Sequence, residues 1–564
     1  MEPLFNACEY LLDRRLAAGD GERTALAGPA GDLSYAALHD RVCRTAAGLR
    51  AVGVQPEQRI LMVMSDSPDF VVVYLAAMRV GAIPVPVSTM LRADGIAELL
   101  RDSRARFLAI TAEFAAAAES AAAAAPELAA VIVSSGRDER AVSPGGDDPP
   151  QTPPALGGHL PPKPPGGGLP PPGPLAAPAG HPIYSLSDLA RSEPDDSVYD
   201  TTADSPAFWL YTSGTTGTPK AAMHRHGSVQ VVCETYGKQV LGITAADRCL
   251  SAAKAFFAYG LGNSVLFPLS VGATCVLLPS PSRPDVIAET AVKYGATLFF
   301  GGPTFFANML RAALPADALG AVRLAASAGE ALPAALYARW TSHFGIDIID
   351  GIGMTEMLHI FLSNAPGAVR PGTTGVAVPG YDLKLLDEES GQPITQPGVP
   401  GTLYVRGASA ATGYWARYDA SRLVFQGDWL RTGDTYVRDT DGYYECLGRT
   451  GDMIKASGIW VSPMEVETRL LSHPAVAQAV VVAAQDSDGL EKPVAYVLLG
   501  AGAAATEAEL IEYCREGLPS FKRPRAVVFT DGFPTTATGK IRRVDLRSMA
   551  AGVLRPARPA AAAG

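Results

Sequence analysis

Charged side chains are scarce in this sequence: Asp, Glu, Lys and Arg make up 18% of its 564 residues, where about 25% is usual. The 47 basic and 57 acidic residues leave a net charge of −10. Nucleic acid and anionic membrane surfaces bind basic proteins, so neither is expected as a partner. An anionic ligand would have to be held by local groups.

Cysteine is also scarce. The seven cysteines are scattered, odd in number and never paired as C-x-x-C, which excludes a disulfide framework or a zinc ribbon and favours a reducing compartment. The first twenty residues contain Glu2, Glu9 and Asp13 and no basic region followed by an apolar one, and no apolar run is long enough to span a bilayer. We therefore expect a cytoplasmic protein.

Apolar residues are abundant, at 48%, and the chain is too long for one hydrophobic core. From about Leu33 helical patterns alternate with short apolar runs, which is typical of a mainly parallel sheet covered by helices. The predicted strands are Arg59–Met64, Ile83–Val87, Ala105–Thr111, Phe208–Tyr211, Thr274–Leu278, Thr297–Phe300 and Ile346–Ile349. The predicted fold class is α/β.

The pattern changes towards the C-terminus. Short strands with Gly-rich turns between Gly372 and Gly448 indicate a small β subdomain, and a further α+β unit follows Arg449. We place the domain boundary at 449–452. The predicted organisation is a large N-terminal domain over residues 1–448 and a small C-terminal domain over residues 453–564.

Proline and glycine dominate residues 143–182. This composition cannot bury enough apolar surface to offset its ordering entropy, so we predict a disordered surface loop, with an interdomain linker as the alternative. Residues 161–174 could instead present polyproline to an SH3- or WW-like partner. The Ala-rich tail after about residue 556 is also predicted to be disordered.

The most specific local signal is the string YTSGTTGTPK from Tyr211 to Lys220, directly after a strand-like run. Glycines let backbone N–H groups approach phosphate oxygens, hydroxyls donate further hydrogen bonds, and Lys220 supplies a positive charge. The Gly-Lys-Ser/Thr order of a Walker A loop is missing, because Lys220 follows Thr218 and Pro219. The string therefore predicts a different kind of phosphate loop.

This loop resembles that of the adenylate-forming superfamily, which contains acyl-CoA and aryl-CoA synthetases, adenylation domains of peptide synthetases and luciferases. The wider sequence is most similar to the benzoate-CoA ligase branch, over nearly the whole chain apart from the insert and the tail. The resemblance implies a C-terminal domain that is mobile about a hinge at 449–452. Five further strings follow in the family's order: Ala328–Pro333, Asp350–Glu356, Trp429–Asp434, Gly448–Gly458 and Pro534–Lys540.

The resemblance implies ATP, Mg²⁺ and coenzyme A as ligands. Lys540 and Thr355 would be catalytic together with Glu356, which would bind Mg²⁺, and Gly458 would line a tunnel for the pantetheine arm of CoA. Lys540 would bridge the carboxylate and the α-phosphate as they meet. The implied ATP or AMP residues are Thr212, Ser213, Gly214, Thr215, Thr216, Gly217, Lys220, Ala328, Gly329, Glu330, Asp350, Gly351, Ile352, Gly353, Asp434 and Arg449.

Three positions depart from the family's pattern. Ile352 replaces the tyrosine that many relatives carry beside adenine, and Ala221 replaces the glycine that usually follows the loop lysine. Gly451 stands at the hinge, where Asp or Lys is usual. Glycine absorbs backbone rotation easily, so hinge motion is still expected.

An aromatic run, FFAYGLG from Phe256 to Gly262, precedes a predicted helix. In the benzoate-CoA ligase branch the Ala-Tyr pair lies at the aryl pocket, which implies Ala258 and Tyr259 here, and His359 matches another position near that pocket. A flat slot of this kind suits a small planar acid. Core packing is the alternative interpretation of the same aromatic residues.

The resemblance implies an ATP-dependent ligase that activates a benzoate-type acid as aryl-AMP and transfers it to CoA, acting as a monomer or homodimer. A carrier-protein phosphopantetheine is the alternative acceptor, because both acceptors share the same arm. A non-catalytic adenylate-binding protein is a further alternative. The presence of Lys220, Glu356, Asp434 and Lys540 argues against it.

Overall fold

The computed structural model describes residues 3–135, 175–176, 180–213, 219–456, 459–486, 490–535 and 541–554. The chain forms two compact units. The first comprises Met1–Asp382 and Arg406–Leu430, and the second comprises Leu383–Val405 and Arg431–Gly564. Residues 449–452, the predicted hinge, belong to the second unit.

One sheet of the first unit is parallel over most of its width. Arg59–Val63 pairs in parallel with both Ile83–Pro86 and Phe107–Thr111, and the apolar side chains of these strands are buried. Ser67 caps the helix Pro68–Arg79 by accepting the Phe70 N–H, and the proline suits the first turn. The strand order is Ile83–Pro86, Arg59–Val63, Phe107–Thr111, Ala130–Ser134, Pro182–Ser185 and Leu175–Ala176.

A second, nine-stranded sheet carries the C-terminal strand ends that matter for the site. Leu298–Gly301, Leu324–Ser327 and Ile348–Gly353 are neighbours in parallel. The strand order is Val376–Ala377, Ile360–Ser363, Ile348–Gly353, Leu324–Ser327, Leu298–Gly301, Arg248–Ser251, Thr274–Val276, Thr24–Ala27 and Leu33–Ser34. These two sheets confirm the predicted α/β class.

The predicted strand around Phe208 belongs to neither sheet. Pro206–Ser213 and Pro219–Arg225 form their own antiparallel pair, so the phosphate-loop string begins on one of these strands and ends on the other. The α-helices of the first unit are Arg14–Ala17, Tyr35–Ala51, Pro68–Arg79, Ala93–Ser103, Ala115–Ala122, Leu186–Leu189, His226–Val232, Ala258–Leu261, Phe267–Val271, Pro284–Tyr294, Pro303–Arg311, Ala334–Phe344 and Tyr418–Val424. Among the described residues, three segments are π-helical: Glu9–Asp13, Cys233–Val240 and Gly262–Leu266.

The Pro/Gly-rich segment leaves one sheet and returns to it, since Ala130–Ser134 and Pro182–Ser185 are paired in parallel. That pairing favours a loop within a domain over a linker between domains. Pro182 already begins a strand, so the loop ends before its predicted boundary. The rest of the predicted loop, including the polyproline stretch 161–174, and the tail after 556 lie outside the described residues apart from the strand 175–176 and residues 180–181.

The second unit combines an antiparallel sheet with a smaller α+β layer. Val476–Gln485 pairs antiparallel with Glu491–Leu499, which pairs in parallel with Ala526–Phe529. Its helices are Pro463–Leu471, Glu507–Gly517 and Arg543–Ala550. Its other strands are Pro393–Ile394, Tyr444–Arg449, Ile454–Ala456 and Ile459–Val461, and most of Tyr381–Leu386, Gly401–Gly407 and Trp429–Arg438 also belongs to it. The strand Phe425–Gln426 belongs to the first unit. Throughout the described ranges, no helix combines the length and the apolar character needed to cross a bilayer.

Candidate active site

The phosphate-loop lysine lies at the base of the hairpin. Lys220 pairs with Thr212 and Ala221 pairs with Tyr211, both in regular antiparallel register. Ala221 is buried in the core of the first unit, so its methyl group occupies space that a glycine would leave empty. The backbone there is an ordinary strand. Gly214, Thr215, Thr216 and Gly217 and the side chain of Ser213 lie outside the described residues.

The turn that carries Thr355 and Glu356 is bound to this hairpin. A short 3₁₀ helix, Thr355–Met357, follows the strand Ile348–Gly353. His224, on the second hairpin strand, donates from Nε2 to the Thr355 carbonyl at 2.8 Å. Burial lowers the pKa of His224 to about 4, so the ring is a neutral donor at pH 7. A hydrogen bond therefore connects the strand that carries Lys220 to the turn that carries Thr355 and Glu356.

Glu356 is buried, and its Oε1 accepts a hydrogen bond from the hydroxyl of Tyr414. The backbone N–H of Ala411 donates to the Glu356 carbonyl at 2.8 Å. This hydroxyl bonds only one carboxylate oxygen, so the second oxygen can face a cation. These oxygen donors fit Mg²⁺, which is usually bound by one or two carboxylates plus substrate phosphates.

Gly351 and Gly353, which follow Asp350, are required because the neighbouring strand lies close to them. A Cβ on Gly353 would lie 2.6 Å from the His359 carbonyl oxygen, and one on Gly351 would lie 2.9 Å from a methyl group of Ile360. Ile352, half-buried, pairs with Leu362 of the antiparallel neighbour. The Gly-Ile-Gly string therefore lets two strands approach closely.

Asp350 itself is buried, and burial raises its pKa to about 8. It lies opposite Ser327, at the C-terminal end of the adjacent parallel strand. The predicted adenine turn Ala328, Gly329 and Glu330 follows that serine directly, and Glu330 accepts the Thr304 hydroxyl at 3.0 Å. The two predicted nucleotide strings therefore lie at neighbouring strand ends, as ligand sites of open α/β sheets do.

Tyr259 and His359 are brought together, 100 residues apart in sequence. Their rings lie 5.4 Å apart, and His359 Nε2 is 3.3 Å from the Tyr259 carbonyl oxygen. Tyr259 donates its hydroxyl to the Ala326 carbonyl at 2.8 Å. Ala258, half-buried, begins the helix that carries Tyr259.

The sequence analysis missed two further rings of this cluster. Tyr236 and Phe267 lie 5.3 Å and 4.5 Å from the His359 ring. Burial lowers the pKa of His359 to about 3, so the imidazole is neutral, and its Nδ1 has no hydrogen-bond partner within the described ranges. A neutral ring among aromatic rings can bind a flat, mostly apolar group. Both tyrosine and phenylalanine are common in cores, so no sequence signal separates them from packing residues.

The remaining predicted residues belong to the second unit. Asp434 is opposite Arg449 in an antiparallel strand pair, and Arg449 Nε lies 3.2 Å from its Oδ1. The structure therefore places Asp434 in a long strand, Trp429–Arg438. The Asp434 side chain is largely buried while that of Arg449 is exposed.

Gly451 lies exposed in a 3₁₀ turn, Thr450–Asp452, where a Cβ would meet no atom within 4 Å. Its neighbour Asp452 accepts from Arg547 at 2.8 Å. Gly458 and Lys540 lie outside the described residues. Thr535 and Ile541, on either side of the segment that contains Lys540, pair in an isolated bridge.

Comparison with known proteins identifies relatives along nearly the whole chain. The profile of the AMP-binding enzyme family matches residues 13–415, and that of the AMP-binding enzyme C-terminal domain matches residues 465–540. The benzoate–CoA ligase of Thauera aromatica is 38% identical over 549 residues, 96% of each chain. The 4-hydroxybenzoate–CoA/benzoate–CoA ligase of Rhodopseudomonas palustris is 39% identical over 558 residues, 97% of this chain and 95% of that protein. Among solved structures, the anthranilate CoA ligase AuaEII in complex with anthranoyl-AMP is 35% identical, with a TM-score of 0.85 and 98% of each chain covered.

Proposed function

The chain belongs to the AMP-binding enzyme family, and from that membership we propose that it is an ATP-dependent, AMP-forming aryl-CoA ligase. Its substrates are a benzoate-type carboxylic acid, ATP and coenzyme A. The two relatives from Thauera aromatica and Rhodopseudomonas palustris, which match nearly the whole chain, are ligases of benzoate or 4-hydroxybenzoate. The two family profiles support this function, because the main domain and then the C-terminal domain are matched in order along the chain.

One observation carries the proposal: Glu356 and His359 lie on the same turn, three residues apart. Leu358 between them has a left-handed backbone, with φ of 67°, and the turn directs Glu356 to Tyr414 and His359 to Tyr259. An aromatic acid with its ring against His359 would therefore present its carboxylate towards the phosphate-binding side of the same turn.

In the first half-reaction a carboxylate oxygen of the acid attacks the α-phosphorus of ATP, pyrophosphate leaves, and the aryl-adenylate forms. Lys220 and the hydroxyl groups of its loop would hold phosphate oxygens, and Thr355 would contact the α-phosphate. Mg²⁺ bound by Glu356 would supply neutralising charge to the phosphates. Lys540 would stabilise the charge that develops where the two anions meet.

In the second half-reaction the CoA sulfur attacks the acyl carbon, and AMP leaves with the bonding electron pair. We infer that the C-terminal domain, residues 453–564, turns about Gly451 between the two steps. This motion would withdraw Lys540 and present Gly458 to the pantetheine arm. Asp434 would accept the two ribose hydroxyls, since a carboxylate is an acceptor only and suits a diol.

A carrier protein is not favoured as the acceptor, because the two full-length relatives described above are CoA ligases. Six of the seven cysteines, all of which lie among the described residues, are buried, and none forms a disulfide. This fits a reducing compartment, and we place the reaction in the cytoplasm.

The test is AMP formation with ATP and Mg²⁺, measured across benzoates, cinnamates and fatty acids, with and without CoA. We expect AMP to accumulate only when both an aromatic acid and CoA are present, with benzoates the best substrates. Faster turnover with a fatty acid would contradict the aryl assignment. Turnover with a phosphopantetheinylated carrier but not with CoA would contradict the acceptor.

A further inference from the structure

Tyr414 contacts both charged groups that the proposed function places around the phosphates. Its hydroxyl donates to Glu356 Oε1. The ammonium of Lys220 lies 5.6 Å from the centroid of the same ring, within the range of a cation–π contact. No motif of the sequence analysis included this residue, which lies 58 positions after Glu356.

The backbone fixes Tyr414 in this place. Tyr414 and Ala222, two residues beyond Lys220, form an antiparallel bridge, and the N–H of Trp415 donates to the Ala221 carbonyl at 2.9 Å. The Tyr414 N–H donates to the hydroxyl of Ser421 at 3.0 Å. The segment thus lies beside the lysine strand as a third strand-like edge, and several hydrogen bonds hold the backbone that carries the ring.

A lysine and a glutamate that serve one phosphate–metal complex have an unproductive alternative, which is to pair with each other. A direct ion pair would take the positive charge from the phosphates and the carboxylate from the cation. In the described part of the chain no ion pair within 4.0 Å joins Lys220 and Glu356. Each instead contacts a different part of one neutral ring: the glutamate its polar edge and the lysine its π face.

We propose that Tyr414 is a positioning residue that keeps Lys220 and Glu356 apart and oriented for Mg·ATP. The hydroxyl holds one carboxylate oxygen, so that the other is presented to Mg²⁺. The ring face holds the ammonium on the phosphate side. This inference rests on the proposed function, because it assigns Lys220 to phosphate and Glu356 to the metal.

The test compares Tyr414→Phe, which keeps the ring and removes the hydroxyl, with Tyr414→Leu, which removes both. The readout is the dissociation constant of ATP by calorimetry, in EDTA and in a Mg²⁺ titration, with unfolding temperature measured in parallel. For Tyr414→Phe we expect unchanged ATP affinity in EDTA and a rise of about tenfold in the Mg²⁺ concentration for half-maximal binding, as expected for losing a hydrogen bond to a charged group. For Tyr414→Leu we expect weaker ATP binding in EDTA as well.

Tyr418→Phe is the matched control, because Tyr418 lies in the same segment and its side chain is 70% exposed. It should match the wild type in both titrations. An unchanged Mg²⁺ requirement in a folded Tyr414→Phe protein would overturn the proposal, as would an equal loss of ATP affinity with and without Mg²⁺. Wild-type formation of the aryl-CoA thioester tests the proposed function separately, so the two failures can be told apart.

Discussion

The carboxylate of Asp66 accepts the backbone N–H of Ala255, with its two oxygens at 3.1 Å and 3.3 Å. Asp66 follows the strand Arg59–Val63 of one sheet, whereas Ala255 lies 189 residues later, three residues before Ala258. The neighbouring Lys254 donates to the carbonyls of Leu278 and Ser280 at 2.6 Å and 2.7 Å. The segment leading into the proposed aryl pocket is thus fixed from two sides.

Replacing Asp66 by alanine should loosen that segment. Because a buried N–H loses its acceptor, we expect the KM for the aromatic acid to rise about tenfold, while the KM for ATP changes little. Steady-state kinetics with each substrate varied in turn measures the two KM values. Asp317→Ala, at an exposed position, is the control, and equal changes in both KM values would argue against a local effect on the pocket.

Gly262 has no room for a side chain. A Cβ there would lie 2.3 Å from His359 Cδ2 and 2.7 Å from its Nε2. Gly262→Ala should push the imidazole out of its place among the rings, at a cost of about 1–3 kcal/mol, and activation of benzoate should fall by at least tenfold while ATP still binds. Benzoate-dependent ATP–pyrophosphate exchange measures this. Gly532→Ala, where a Cβ would meet nothing within 4 Å, should have no effect, and wild-type exchange in Gly262→Ala would place the pocket elsewhere.

Asp350 should make the folded protein less stable as pH rises. Burial raises its pKa to about 8, so the native state holds a proton that the unfolded chain releases near pH 4. Between these values the unfolded state binds fewer protons, and the free energy of unfolding therefore falls with increasing pH. Its contribution is fully present below about pH 4 and is lost as pH passes about 8. Urea unfolding from pH 5 to pH 8 should show this loss in the wild type relative to Asp350→Asn, and parallel curves would contradict it.

The proposed role of Lys540 allows the two half-reactions to be tested separately. If its ammonium acts only where carboxylate and α-phosphate meet, Lys540→Ala should lower benzoate-dependent ATP–pyrophosphate exchange by about 100-fold or more. Thioester formation from supplied benzoyl-AMP and CoA should be nearly unchanged. Exchange at the wild-type rate would show that Lys540 is not catalytic. Arg542→Ala, which removes a positive charge two residues further along the chain, is the control.

Local patterns in the sequence predicted several strands of the two large sheets to within a few residues. The predicted strands Arg59–Met64 and Ile83–Val87 are observed as Arg59–Val63 and Ile83–Pro86. Alternation of helices and apolar runs depends on neighbours in sequence, so it can be read from the chain directly. The pairing of strands is harder to predict from local sequence patterns. The separate antiparallel pair of Pro206–Ser213 with Pro219–Arg225 was therefore not predicted.

Contacts between distant segments could not be predicted in this way. Nothing local distinguishes Tyr414 from a packing tyrosine, and Asp66 gives no sign that its partner is a backbone N–H far along the chain. The residues in recognisable strings, such as Lys220 and Glu356, could be predicted as site residues because those strings are specific. The groups that position them were found only from the fold.

The most direct test of the central claim is a two-stage single-turnover experiment with the wild-type protein, benzoate and α-labelled ATP. Before CoA is added, labelled benzoyl-AMP should form on the enzyme with one equivalent of pyrophosphate. After CoA is added, the same label should appear as AMP, with an equal amount of benzoyl-CoA. Release of ADP, or formation of benzoyl-CoA without passage of label through benzoyl-AMP, would contradict an aryl-CoA ligase that works through an adenylate.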